Sequence, residues 1–147
     1  MARSDAAPSD ADRPWGVLVV DDDPDVHPLL EVLLQVDGRF TVVAQAGDGA
    51  GAMDLAERHQ PDAIVLDLST PGATDGWDAL PELRRRVPEA TIVVFSAFPE
   101  ALSLVDALAA GADAYLDKAS MWELIPVMAQ LLGSRRIPTG SCATPGS

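Results

Sequence analysis

Two apolar runs of this chain end on acid: Val17-Leu18-Val19-Val20 stops at Asp21-Asp22-Asp23, and Ala63-Ile64-Val65-Leu66 stops at Asp67. Short continuous runs rich in Val and Ile predict strands buried on both faces of a parallel sheet. The carboxyl ends of such strands open onto one crevice, where ligands bind. Acids from two separate stretches of sequence therefore converge there. Carboxylates packed within about 4 Å repel by roughly 1 to 4 kcal/mol per pair, so the cluster calls for a cation or a proton.

The elements that must carry these acids follow from patterning. Strand patterns fall at 16–20, 40–45, 62–67, 91–96 and 114–117, and helix patterns at 24–36, 49–59, 76–87, 99–110 and 120–132. Five alternating units predict one α/β domain, a doubly wound five-stranded parallel sheet with right-handed crossovers and helices on both faces. Asp23 before Pro24 predicts an N-cap with proline at the first helical position and Asp25 in the first turn, which assigns Asp23 to a cap rather than to the site. Val26, Leu29, Leu30, Leu33 and Leu34 share one face of that helix. Gly111 reads as a helix C-cap, and Pro61 and Pro88 each follow a helix end. Ser120 with Glu123 matches a capping box, but Pro126 then stands inside the last helix without an amide proton, which predicts a kink or a late start.

The chain has 147 residues, room for one domain with a full core. Ten basic against 23 acidic residues give a net charge of −13. That charge repels phosphate backbones and anionic lipid, so neither direct nucleic-acid binding nor membrane association is expected. No apolar run is long enough to span a bilayer, and Met1 to Pro14 is too polar for a signal peptide, so a cytoplasmic location is expected. Cys142 stands alone in a Gly/Ser/Thr/Pro stretch, which excludes an internal disulfide and a cysteine metal site. Residues 1–14 and 134–147 are poor in large apolar groups and predict disordered tails, the second of them a possible linker stub, around a domain at 15–133. Nine of the ten basic residues are Arg; Lys118 is the only lysine. A compact ammonium differs from a guanidinium in shape and hydration, yet a lone lysine also fits a simple bias towards Arg.

The strand ends VLVVDDDPDV (17–26), AIVLDLSTPG (63–72), TIVVFSA (91–97) and AYLDK (114–118), in this order and spacing, resemble the receiver domain of two-component response regulators. Four motifs on separate strands make the resemblance specific. It implies the flavodoxin-like strand order 2-1-3-4-5, and a phosphorylation-dependent signalling module rather than an enzyme with an external substrate. Asp67 matches the phosphoacceptor, which takes a phosphoryl group from a phosphohistidine of a sensor histidine kinase or phosphotransfer protein. Asp21 and Asp22 match the pair that holds Mg²⁺, with Asp67 and the backbone carbonyl of Ser69 completing the protein's ligands. Lys118 matches the lysine on the phosphoryl oxygens, Ser96 the hydroxyl that bonds the phosphoryl group after transfer, and Tyr115 the aromatic that swings inward with it. The residues two beyond the phosphoacceptor and the hydroxyl, Ser69 and Phe98, match the positions that govern access of hydrolytic water. Mg²⁺ suits the acid cluster, since it prefers few carboxylates, several waters and phosphate oxygens.

The chain departs from the family pattern in two places. Thr70 replaces a usual Met, and Pro71 to Gly76 carries one extra residue, so the loop after Asp67 is expected to be displaced. Ala119 follows Lys118 where many members have Pro, so a cis peptide is not expected there. Two other readings stand beside the receiver. A receiver-fold interaction module working without phosphorylation is favoured only by the altered 70–76 loop. A haloacid-dehalogenase-type phosphatase also uses Mg²⁺ and a carboxylate nucleophile, but wants that Asp on the first strand with a second Asp two residues later; Asp67 is followed at that spacing by Ser69, and Asp21 by Asp23 directly before Pro24, with no cap domain. Output is expected through a docked protein target or a domain outside this chain. Ala101, Leu102, Leu104, Val105, Leu108, Trp122, Leu124, Ile125 and Met128 exceed one buried stripe, which fits either a greasy core or a homodimer or partner surface.

Overall fold

The apolar runs form the strands their composition predicts. The computed structural model describes residues 14–21, 25–67, 76–96 and 101–136. Along the chain these form β1 (Trp15–Val20), α1 (Val26–Asp37), β2 (Phe40–Ala46), α2 (Gly49–His59), β3 (Ala63–Leu66), α3 (Gly76–Arg86), β4 (Thr91–Ser96), α4 (Ala101–Ala110), β5 (Ala114–Asp117), a 3₁₀ turn (Lys118–Glu123) and α5 (Leu124–Arg136). The five strands make one parallel sheet in the order β2-β1-β3-β4-β5, as expected.

Strand alternation sorts the core into two layers. Leu18, Val20, Ile64, Leu66, Ile92 and Val94 face α2, α3 and α4, where they meet Ala52, Ala56, Leu80, Leu83 and Ala107. Val17, Val19, Val65, Val93 and Phe95 face α1 and α5, against Leu30, Leu34, Leu124 and Met128. Both faces of β1 and β3 are thus covered, which is why their sequences read as unbroken apolar runs and not as alternation. Edge strand β2 is only partly covered, and its pairing with β1 slips between Val17 and Leu18, so that Val43 is skipped in the register.

Helix ends show where local sequence decides and where it does not. Asp48 caps α2, its carboxylate accepting the Gly51 amide at 2.8 Å. Gly38 closes α1 at φ +87°, and Gly111 follows α4 at φ +125°, the conformation that glycine adopts without strain. The expected start of α1 is corrected: the helix begins at Val26 with Asp25 at its cap position, and Asp23 and Pro24 lie outside the described residues.

The start of α5 is corrected too. The chain passes from β5 into a 3₁₀ turn whose cap is Asp117, its carboxylate accepting the Ala119 amide at 2.9 Å. Ser120 is non-helical (φ −107°, ψ 43°), so the Ser120–Glu123 pair does not open an α-helix. Leu124 does, which puts Pro126 in the first turn, where amide protons have no helical partner to lose. This is the late start that Pro126 predicts. α5 also continues past Gly133 to Arg136, beyond the expected domain edge. Residues 1–13 and 137–147, where tails are expected, lie outside the described residues.

Candidate functional site

The register brings the two acid-tipped strands side by side. Val20 pairs with Leu66 across β1 and β3, and the chain continues on each strand into Asp21 and Asp67. Backbone bonds carry the sheet one step further: the Asp67 amide donates to the Val20 carbonyl at 2.9 Å, and the Asp21 amide to the Ala46 carbonyl of β2 at 3.0 Å. Both acids are enclosed, Asp21 at 2% and Asp67 at 4% exposure. With Thr91 they are the buried polar residues among those described. Two enclosed acids thus stand on adjacent strand ends.

The next strands point their carboxyl ends the same way. Leu66 pairs with Val94 across β3 and β4, and Ser96, at the end of β4, pairs with Asp117 at the end of β5. Lys118 is the residue immediately after that pairing, at the start of the 3₁₀ turn. Of Ser96 and Lys118 the backbone alone is described, and it sets both at the same edge of the sheet as Asp21 and Asp67. Tyr115 pairs with Val94 and is half-buried, packed against the core layer that contains Leu66, Val94 and Ala107. Asp22, Ser69 and Phe98, and the whole 70–75 loop, lie outside the described residues. The described residues therefore bring together two of the four expected metal ligands and the backbone positions of two further site residues.

One neighbour of the site escapes sequence reasoning. His27, in the first turn of α1, sets its Nε2 2.5 Å from the backbone carbonyl oxygen of Asp21. A carbonyl oxygen can only accept, so a hydrogen bond here requires the proton on Nε2. The signal in the sequence was faint: an imidazole one turn into the helix that follows an acidic strand end.

The donor chemistry fits a hard divalent cation. Carboxylate oxygens are among the ligands Mg²⁺ takes. The hydrogen bond from Arg39 holds the Asp37 carboxyl below its ordinary range, and hydrogen bonds from Arg86 and then Arg85 do the same for Glu82.

Comparison with known proteins bears on the whole arrangement. The family model described as "response regulator receiver domain" matches residues 17–129. The chain is 40% identical over 112 residues to the nitrate/nitrite response regulator protein NarP of Escherichia coli (strain K12), a match that covers 76% of this chain and 52% of that protein. The chain spans about half the length of the curated relatives it matches. Among solved structures, a two-component response regulator of the LuxR family from Aurantimonas sp. SI85-9A1 superposes with a TM-score of 0.77 at 29% identity, over 82% of this chain and 86% of that one. The receiver domain of the sensor histidine kinase PA1611 from Pseudomonas aeruginosa PAO1, solved with a magnesium ion coordinated in its active site cleft, gives a TM-score of 0.72 at 28% identity, over 82% and 98%.

Proposed function

The chain belongs to the receiver-domain family of two-component response regulators, and from that premise we propose that Asp67 is its phosphoacceptor. In this reading a carboxylate oxygen of Asp67 attacks the phosphorus of a phosphohistidine on a sensor histidine kinase or phosphotransfer protein. The P–N bond breaks, the freed imidazole nitrogen takes up a proton, and Asp67 becomes an acyl phosphate. Asp21, Asp22, Asp67 and the Ser69 carbonyl would hold Mg²⁺, which when bound offsets charge on the transferring group. Lys118 contributes a fixed positive charge to the same oxygens, and Ser96 a hydroxyl that engages the phosphoryl group after transfer, with Tyr115 following it. Ser69 and Phe98 then govern the approach of water to the acyl phosphate.

The observation that carries this reading is the register: two buried acids stand one step beyond the Val20–Leu66 pair, at the edge where β4 and β5 also end. Support for Mg²⁺ comes from the PA1611 receiver, which coordinates magnesium in its active site cleft. The chain acts as a signalling module in the cytoplasm, and its output passes to a docked protein target or to a domain beyond this chain. Val105, Leu108 and Trp122, exposed at 62%, 45% and 69%, form the surface for that docking or for a homodimer. Leu124 and Met128 instead are fully buried, and Ile125 packs against the core. No helix among the described residues is long and apolar enough to cross a membrane.

The test is incubation with a small phosphodonor and Mg²⁺, followed by intact-mass measurement. One added phosphoryl group, lost in Asp67→Asn and when the metal is chelated, is the expected outcome. No modification with any donor would favour an interaction module that works without phosphorylation.

A further inference from the structure

Asp21 closes β1 with its amide on one neighbour and its carbonyl on another. The amide donates to Ala46 of β2, and the carbonyl accepts from His27 Nε2 of α1. Between Asp21 and His27 the chain must turn from strand to helix, and Val26, one residue before His27, is anchored in the core layer shared with Val19 and Val65. His27 is thus held from its own helix while its ring bridges six residues back to the strand end. The carbonyl it grips belongs to the peptide group that joins Asp21 to Asp22. Holding that carbonyl restrains the orientation of the Asp21 peptide group at the strand end.

We infer that His27 is a positioning residue for the metal-binding acid Asp21, acting as a hydrogen-bond donor from Nε2 to the Asp21 carbonyl. The inference rests on the reading of Asp21 and Asp22 as ligands proposed above. In this role His27 is not itself a metal ligand. Its role is to hold the strand end in one orientation, as outer-shell partners of metal ligands do, and the loss of such partners lowers metal affinity. Glutamine can place an N–H close to where Nε2 lies; methionine has the same length and no donor.

The experiment is a calorimetric Mg²⁺ titration of the full chain as wild type, His27→Gln and His27→Met. His27→Met is expected to bind Mg²⁺ about tenfold more weakly, and His27→Gln to stay within about threefold of wild type. The metal-free unfolding midpoints of both variants establish that the comparison is between folded proteins. Equal weakening in both variants would mean that the ring packs without donating, and would overturn the inference. Unchanged affinity in His27→Met, with binding in wild type still lost on removal of Asp21 and Asp22, would overturn it and leave the metal site standing. A wild type that binds no Mg²⁺ would overturn both. Should His27→Met fail to fold, the tautomer read from ¹⁵N resonances of the wild-type imidazole decides. A proton on Nε2 supports the inference, and a proton on Nδ1 with Nε2 bare overturns it.

Discussion

Asp21 and Asp67 owe their chemistry to the residue before each of them. Val20 and Leu66 are fully paired strand residues with side chains in the core, and the step beyond each turns the same backbone into a carboxylate at the edge of a buried sheet. Their identity as a pair was legible from sequence, because acid directly after an apolar run has few other places to go. His27 was not legible, since nothing in the local sequence says that a helix side chain reaches back to the preceding strand. Two outcomes belong at this scale. Loss of both Asp21 and Asp22 as Asn should remove Mg²⁺ binding in a calorimetric titration, and binding that survives would break the metal assignment. Phe98 carries no atom that could orient water, so Phe98→Glu should speed loss of the phosphoryl group by about tenfold, equivalent to ~1.4 kcal/mol of barrier. Equal decay rates in the two proteins would contradict the role given to Phe98.

The strands were the easiest elements to read, and the helix starts the hardest. β1, β3 and β4 announce themselves as apolar runs because both of their faces are covered. α1 and α5 begin later than their patterns suggest, each with proline in its first turn, Pro28 and Pro126. A sequence shows that such prolines are tolerated near a start without saying which residue the start is. Contacts between distant elements were invisible altogether. Arg84, near the end of α3, donates to the carbonyls of Gly111, Pro88 and Ala90 and pairs with Asp113, whose carboxylate also accepts the Ile92 amide. One guanidinium thereby ties α3 to the start of β4 and to the α4–β5 corner. Arg84→Met should lower stability by about 2–3 kcal/mol in urea unfolding, because several carbonyls lose their donor together; an unchanged midpoint would contradict the tie. Gly111 has no such latitude either: at φ +125° a Cβ there would also meet the Arg84 side chain at 3.0 Å. On the exposed face of α3, Glu82 bonds Arg85 and Arg86, and its carboxyl is held low by Arg86 first. A lowered carboxyl stabilises the fold above the ordinary glutamate range and loses that contribution as pH falls through its folded value. The stability gap between wild type and Glu82→Gln should therefore be open at neutral pH and close in acid. A gap that persists in acid would point to packing instead.

As a whole, the chain has a net charge of −13, and two of its acids, Asp21 and Asp67, are buried at one sheet edge. That charge disfavours self-association, so a homodimer would need exposed apolar side chains, and Val105, Leu108 and Trp122 are among those the chain exposes. Sedimentation velocity with phosphodonor and Mg²⁺ should show a faster species that Val105→Glu removes; one unchanged species under every condition would contradict the homodimer and leave the patch to a different partner. The central claim is that four strand ends combine into a single phosphoacceptor at Asp67. Its most direct test is to phosphorylate the protein with a small donor and Mg²⁺, reduce the acyl phosphate with borohydride, and map the product by peptide mass spectrometry. Conversion of Asp67, and of no other residue, to homoserine, only when Mg²⁺ is present, is the result expected. Reduction at Asp21 or Asp22, or a label that forms equally well without metal, would contradict the account.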